Sequence, residues 1–302
     1  MIKNFTIFLF LSFFISCKSE KNVDVKKEEV FKTDTFELIK SSKNSAAVLI
    51  LFGGFGEKPA DIKREFKIEQ IAKKNNISLL LMNYSNKLWL NEVDKKNLAT
   101  LLQTTLEKHD LNKKDIFIGG FSSGGVVSLH ISNYINSLKE FYIDPKGVFI
   151  ADSPIDLLAL YKASELNIKK NFSEVSVVES NWIINLFDEK LGNPKDSISK
   201  YEEFAVYTFQ SDYTKNLEHL KNTKLRFYTE PDINWWQKER KSNYEQMNAF
   251  YIKNLSESLI KKGFKYVNYI ATENKGYRAN GERHPHSWSI IDTKKLIKWM
   301  LK

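Results

Sequence analysis

The chain has 302 residues, of which 42% are hydrophobic, 27% are charged and a single one is cysteine. These proportions exclude a disordered tail, a collagen-like fibre and a small disulfide-stapled domain. They also exclude a polytopic membrane protein, because the one long apolar run lies at the N-terminus. The length allows one large domain or two small ones, with enough material for a buried core.

The positive charge is spread along the whole chain. Lysine and arginine number 46 against 37 acidic residues, which gives a formal net charge of +9. Arginine occurs at only five positions, and the lysines stand in short pairs mixed with acidic residues. Sites that read bases depend on arginine, and sites that follow phosphates cluster their charge. The pattern therefore predicts a lysine-rich solvated surface and no nucleic-acid partner.

The N-terminal residues 1–16 have the pattern of an export signal. Lys3 precedes an apolar run that is too short to span a bilayer comfortably, and Cys17 follows Ser16 directly. The segment resembles a bacterial lipoprotein signal, although Phe14 replaces the usual branched aliphatic residue. This resemblance implies cleavage before Cys17, lipid attachment at Cys17 and anchoring to a membrane of the cell envelope, on the periplasmic side or exposed at the surface. The alternatives are an uncleaved anchor helix and a plain signal peptide.

The segment 17–29 is rich in lysine and glutamate and has no hydrophobic periodicity, which predicts a flexible tether. Residues 30–302 are predicted to form the folded domain. An edge strand is expected at 29–39, and six buried strands are expected at 46–52, 77–82, 115–119, 147–151, 225–229 and 266–271. Helices are expected at 60–74, 91–109, 123–138, 242–262 and 293–301.

This alternation of strands and helices predicts one α/β domain, with a mainly parallel central sheet flanked by helices. One segment departs from the alternation. Residues 153–224 contain no clear strand and are too long for an ordinary connection. We expect a helical lid insertion there, above the carboxyl edge of the sheet.

A candidate nucleophile stands where the third buried strand meets a helix. The sequence Gly120-Phe121-Ser122-Ser123-Gly124 matches the pattern G-x-S-x-G in the strand–turn–helix context that this pattern needs. In so tight a turn, glycines avoid collisions and the serine hydroxyl is held at the positive end of the helix. Ser123 is a competing nucleophile, but the five-residue spacing favours Ser122. The alternative is a glycine-rich connection whose glycines only aid packing.

At these residues the chain resembles the α/β-hydrolase superfamily of serine esterases, lipases and peptidases, from about residue 46 to the C-terminus. The resemblance implies a catalytic histidine after the last strand. His284 and His286 lie there, and a histidine can take the serine proton and return it near neutral pH. We favour His286, and His284, beyond Pro285, would then orient the loop. Two surface histidines in a polar loop are the alternative.

The same resemblance implies an acid after a late strand. Counting from the strand 225–229 selects Asp232, with Glu230 as a rival, although Thr229 replaces the usual glycine. Asp152 and Asp156, after the fourth buried strand, offer another position that some members use. The acid would fix the tautomer of the histidine and stabilise its charged form. Any one of these carboxylates has an alternative role in a helix cap or a turn.

An oxyanion hole is expected from backbone N–H groups at two strand ends. Ser123 supplies the group after the nucleophile, and the run Phe52-Gly53-Gly54-Phe55-Gly56 supplies the second. We assign Phe55, with Gly54 as the alternative. The superfamily often carries His-Gly where this chain carries Gly-Gly.

The sequence thus predicts a lipid-anchored serine hydrolase that cleaves an acyl ester through Ser122, His286 and Asp232. No metal ligand set and no cofactor motif is recognised. A peptidase, a thioesterase and a non-catalytic binding or structural lipoprotein on the same scaffold are alternatives. Trp235, Trp236 and Trp288 flank the proposed acid and base, either stacking on a sugar or aryl ester or packing beneath the lid. A carbohydrate or aryl ester is the favoured small-molecule or glycan substrate.

Overall fold

The structure is a computed structural model that describes residues 29–41, 44–138 and 140–302. The predicted signal segment, the lipidation site Cys17 and the tether up to residue 28 lie outside these residues. Within the described ranges, no helix has the length and apolar character needed to cross a membrane.

An eight-stranded sheet forms the centre of the domain. Its strands are β1 (Glu29–Lys32), β2 (Phe36–Lys40), β3 (Ala47–Phe52), β4 (Ile77–Met82), β5 (Ile116–Phe121), β6 (Pro145–Ala151), β7 (Lys224–Thr229) and β8 (Val267–Ala271). Their order in the sheet is β1-β2-β4-β3-β5-β6-β7-β8. The pairings β1–β2 and β2–β4 are antiparallel, and the other five pairings are parallel. The predicted α/β class with a mainly parallel sheet is confirmed.

Helices cover both faces of this sheet. They are α1 (Pro59–Phe66), α2 (Glu69–Lys74), α3 (Glu92–Lys108), α4 (Ser123–Ser137), α5 (Leu157–Lys170), α6 (Glu174–Lys190), α7 (Ser199–Phe204), α8 (Ile233–Arg240), α9 (Asn248–Lys261) and α10 (Thr293–Met300). Alternate residues of a strand point to opposite faces. Leu49 and Leu51 of β3 accordingly join a core with α1, α2 and α10, and Val48 and Ile50 join one with α3 and α4. A strand buried on both faces explains the continuous apolar run in its sequence.

Several elements differ from the predicted ones. The edge segment is a hairpin, because a turn at Thr33, whose N–H donates to Phe36 O at 2.9 Å, separates β1 from β2. The predicted helix 60–74 is interrupted at Lys67, which adopts a left-handed conformation with φ 52°. The predicted helix 242–262 starts only at Asn248, and α8 precedes it, capped by Asp232.

The long connection between β6 and β7 is helical. It contains α5, α6 and α7, which enclose a small core of their own around Tyr161, Phe187 and Tyr201. Two short 3-10 turns lead from α7 to β7. Helical structure in this segment agrees with the predicted insertion, and its action as a lid stays a prediction.

Candidate active site

Ser122 occupies a sharp turn between β5 and α4. Its backbone has φ 53° and ψ −128°, a left-handed region that residues other than glycine adopt at a cost. The neighbouring glycines allow other backbone segments to pack closely against this turn. A Cβ on Gly120 would lie 2.2 Å from backbone atoms of Gly124, and one on Gly124 would lie 2.3 Å from Phe52 O. The turn therefore presents Ser122 at the N-terminal end of α4, where the helix dipole favours negative charge.

Ser123 is placed differently. It is the first residue of α4 and is 2% exposed, whereas Ser122 is partly exposed. Of the two serines in the motif, only Ser122 has a side chain that a substrate can reach. The sequence spacing had favoured the same residue.

His286 is paired with a carboxylate. Its Nδ1 lies 2.6 Å from Oδ2 of Asp152, which is buried at the carboxyl end of β6. The backbone N–H of Asp152 donates to Tyr228 O at 2.9 Å, and the residue has a left-handed φ of 46°. An Nδ1–H that donates to a carboxylate leaves Nε2 free to accept a proton. The pair has the arrangement that a histidine base requires.

Ser122 lies next to this pair. Its backbone N–H donates to Ala151 O at 2.9 Å, so it is attached to the residue that precedes Asp152. The ring of Phe121 lies 4.5 Å from the ring of His286, centroid to centroid. The Ser122 hydroxyl itself makes no hydrogen bond to another described residue. Such catalytic hydrogen bonds often close only when substrate binds.

Asp232 is not the partner of His286, and this prediction was wrong. Its Oδ1 accepts the N–H of Trp235 at 3.0 Å, which caps α8, and its Oδ2 lies 2.6 Å from Nη2 of Arg283. Both oxygens are therefore committed elsewhere. The rival Asp156 caps α5 and accepts the N–H of Phe209 at 2.7 Å. Asp152, the remaining alternative in the same segment, is the carboxylate that pairs with His286.

Glu230, the other rival, fixes the loop that leads to His286. It is 3% exposed, and its Oε2 accepts hydrogen bonds of 2.9 Å from the hydroxyl of Thr272 and from the N–H groups of Lys275 and Gly276. Its Oε1 lies 2.5 Å from Nη2 of Arg283. Arg283 also donates to Gly276 O at 2.6 Å. This buried ion pair ties both ends of the loop to β7, and sequence reasoning missed Arg283 altogether.

His284 is held as a neutral side chain. Its ring lies 4.8 Å from that of Trp235, and burial lowers the pKa of His284 to about 3, helped by the nearby guanidinium of Arg278. A ring with so low a pKa does not take up a proton near neutral pH. The geometry thus favours His286 over His284 as the base.

The two predicted oxyanion donors have free N–H groups. The N–H of Phe55 meets no acceptor among the described residues, and that of Ser123 belongs to the first helical position, which has no intrahelical acceptor. Gly54, the alternative, is excluded because its N–H donates to Oε2 of Glu57 at 2.8 Å. The same oxygen accepts from Nε1 of Trp288 at 3.0 Å. Glu57, which the sequence did not single out, therefore fixes the turn that carries Phe55.

Of the three tryptophans, Trp288 has a packing role, and substrate contact by Trp235 and Trp236 stays a prediction. Trp288 is 1% exposed and stacks on Phe66 with a centroid distance of 4.5 Å, so it is a packing residue. Trp235 and Trp236 are half-buried, and both rings lie against His284. Across the described part of the chain, no cluster of three or more histidine, cysteine or carboxylate side chains is arranged to hold a metal ion.

No family model and no curated protein matches the sequence. Solved structures do match the fold. An esterase of the bacterial hormone-sensitive lipase family superposes with a TM-score of 0.54 at 14% identity, over 91% of this chain and 82% of the other. A fluorophosphonate-binding serine hydrolase of Staphylococcus aureus gives 0.53 at 14% identity, over 88% and 92%. An S-formylglutathione hydrolase of Agrobacterium tumefaciens gives 0.51 at 11% identity, over 88% of each chain.

These neighbours are described as esterases and serine hydrolases. At such low identity the likeness establishes the fold but not the activity. The chain has the α/β-hydrolase fold.

Proposed function

We propose that the protein is a serine hydrolase that cleaves carboxylic esters, with Ser122 as nucleophile, His286 as base and Asp152 as the acid that orients His286. The observation that carries this proposal is the 2.6 Å contact between His286 Nδ1 and Asp152 Oδ2, beside a serine on a strained turn. Nucleophile, base and orienting carboxylate are the parts that acyl transfer requires.

The reaction proceeds in two halves. Ser122 Oγ attacks the acyl carbon and gives its proton to His286 Nε2, while the N–H groups of Phe55 and Ser123 bind the developing oxyanion. Collapse of this intermediate breaks the ester bond, and the alcohol leaves with the proton from His286. Water then attacks the acyl-enzyme in the same way, which releases the acid and restores Ser122.

Hydrolysis of short esters by the purified protein tests this proposal. We expect turnover in the wild type and its loss in Ser122→Ala and His286→Ala. His219→Ala removes a histidine that is exposed and remote from Ser122 in the fold, and it should retain full activity. An ester, a thioester and an amide of one acyl group, compared side by side, separate esterase from thioesterase and peptidase. A folded wild type that hydrolyses none of them would favour the non-catalytic binding or structural role.

We also propose that the protein is a lipoprotein of the cell envelope, attached through Cys17. The support is the sequence of residues 1–17. We expect the wild type to incorporate labelled palmitate and the variant Cys17→Ser to incorporate none. We also expect the variant to be released from the membrane fraction. Equal membrane retention of the two proteins would contradict lipid attachment at this cysteine.

A further inference from the structure

A groove of about 270 Å³ opens between α6 and the loop that follows β4. Trp182, Leu186 and Lys190 line it from α6, and their spacing of four residues places them on one face of that helix. Leu88 and Trp89 line it from the loop. One wall of the groove therefore belongs to the helical insertion, and the other belongs to the loop that follows β4.

The groove lies beside the candidate nucleophile. Phe55 lines it and comes three residues after the end of β3. In the sheet, β3 is the direct neighbour of β5, which ends at Phe121, the residue before Ser122. A Cβ on Gly54 would stand 3.3 Å from Cβ of Ser122. A substrate bound at Ser122 with its oxyanion on the N–H of Phe55 would thus have the groove next to it.

Three aromatic side chains line this groove, namely Phe55, Trp89 and Trp182. The ring centroids of Phe55 and Trp182 lie 4.9 Å apart at an angle of 60°, although these residues are 48% and 41% exposed. Trp89 rests on Phe187 at 5.5 Å and 79°. Aromatic rings attract one another in tilted or edge-to-face arrangements at about 4.5–7 Å between centroids. Phe55 and Trp182 are exposed and in contact with each other, so they can make the same kind of contact with an aromatic ring of a ligand.

Of the five polar side chains that line the groove, four have protein partners, and the fifth, Asn86, is exposed. Lys87 Nζ lies 2.8 Å from Oδ1 of Asp94, and Lys190 Nζ lies 2.6 Å from Oε1 of Glu189. Oδ1 of Asn91 accepts the N–H of Asp94 at 2.8 Å. A sugar would need free hydrogen-bonding groups to replace its water. The volume, below the roughly 300 Å³ at which drug-sized pockets begin, suits one ring better than a long acyl chain.

We infer that this groove binds an aromatic ring carried by the ester substrate, on either its acyl or its alcohol portion. The inference rests on the proposed function, since it places the ring relative to a reacting ester at Ser122. It narrows the substrate class to esters that carry an aromatic ring and assigns Phe55, Trp89 and Trp182 to recognition.

Paired substrates test the inference by kinetics. Methyl 3-phenylpropanoate is compared with methyl hexanoate, and benzyl acetate with hexyl acetate. In at least one of these two pairs, the wild type should hydrolyse the ring-bearing ester with the higher kcat/KM. Trp182→Ala should lower the kcat/KM for that ester about two- to tenfold through a higher KM, the range expected for a lost aromatic contact. Hydrolysis of methyl acetate should stay within about twofold, and Trp182→Phe should retain most of the preference. Val175→Ala, at a 71% exposed position of the same helix, should change nothing.

Binding without turnover gives a second readout. Saturation-transfer NMR on Ser122→Ala should detect the aromatic protons of the preferred ester, and adding Trp182→Ala should weaken the signal. A wild type that hydrolyses no ester would refute the proposed function. This binding measurement would still show whether the groove binds an aromatic ring. The inference is overturned if ring-bearing esters gain no advantage and do not bind. It is also overturned if Trp182→Ala impairs glucose pentaacetate or methyl hexanoate as much as the ring-bearing ester.

Discussion

Asp152 and His286 are 134 positions apart in the chain, yet Oδ2 of the first lies 2.6 Å from Nδ1 of the second. The proposed acid therefore follows β6, the strand beside β5, and Ser122 follows β5 directly. The corresponding position after β7 is used differently, because Glu230 and Asp232 there bind Arg283. The proposed acid and the proposed nucleophile thus follow adjacent strands, and the segment after β7 anchors the loop that carries His286.

The two aspartates should respond differently to the same change. Asp152→Asn should lower kcat by about 10²- to 10⁴-fold, because an amide no longer holds the tautomer and charge of His286. Asp232→Asn should retain kcat within a few-fold, since asparagine also caps α8. Steady-state kinetics on one ester measures both. Similar losses in the two variants would contradict the assignment of Asp152.

Removal of Glu57 should weaken the oxyanion hole. Its Oε2 holds both the N–H of Gly54 and Nε1 of Trp288, next to the donor at Phe55. We expect Glu57→Ala to lower kcat about tenfold or more with little change in KM, because oxyanion donors act mainly in the transition state. Glu107→Ala, which removes a surface partner of Lys113, is the matched control and should be silent. A Glu57→Ala enzyme with wild-type kcat would refute this role.

The buried ion pair should matter for stability. Glu230→Ala leaves Arg283 without its most buried partner and three donors of the loop without an acceptor. We expect the free energy of unfolding to fall by about 3 kcal/mol in urea titrations. Glu230→Gln should cost less, because its amide oxygen still accepts.

A surface pair provides the comparison for that loss. Asp144→Ala breaks an exposed ion pair with Lys146 and should cost less than about 1 kcal/mol. If Glu230→Ala costs no more than Asp144→Ala, the loop is not held by this pair.

Stability should fall in acid through His130. Burial lowers the pKa of His130 to about 3, and its Nε2 lies 3.0 Å from Phe204 O. The unfolded chain takes up a proton on this residue below about pH 6.5, whereas the folded protein does not until about pH 3. The contribution is therefore complete above pH 6.5 and is lost as the pH falls toward 3, by at most about 1.4 kcal/mol per pH unit.

His130→Gln isolates this contribution, because it keeps a donor for Phe204 O but does not titrate. Unfolding free energies measured from pH 7 to pH 4 should fall less steeply in the variant. Asp156 acts in the opposite sense, since burial raises its pKa to about 6. That effect is common to both proteins and cancels in the difference. Parallel pH profiles would contradict the account.

Local patterns predicted the frame of this molecule well. The apolar run before Gly53 favoured a strand buried on both faces, and the glycines around Ser122 favoured a tight turn. Chain order then placed a histidine after the last strand. These features depend on neighbours in sequence, where periodicity and steric rules apply directly.

The acid could not be chosen in this way. Asp152, Asp156 and Asp232 all follow strand ends and all suit caps or turns, so the decision depends on which carboxylate reaches His286 across the sheet. The roles of Glu57 and Arg283 are likewise set by contacts between distant segments. No spacing in the sequence carries that information.

The central claim is that Ser122 is a nucleophile activated by His286 and Asp152. Labelling with a fluorophosphonate tests this claim most directly. The wild type should gain one adduct mass on the peptide that contains Ser122, and Ser122→Ala should gain none. Asp152→Asn should label far more slowly, while Asp232→Asn and His219→Ala should label at the wild-type rate. A folded wild type that stays unlabelled, or an adduct on another residue, would contradict the claim.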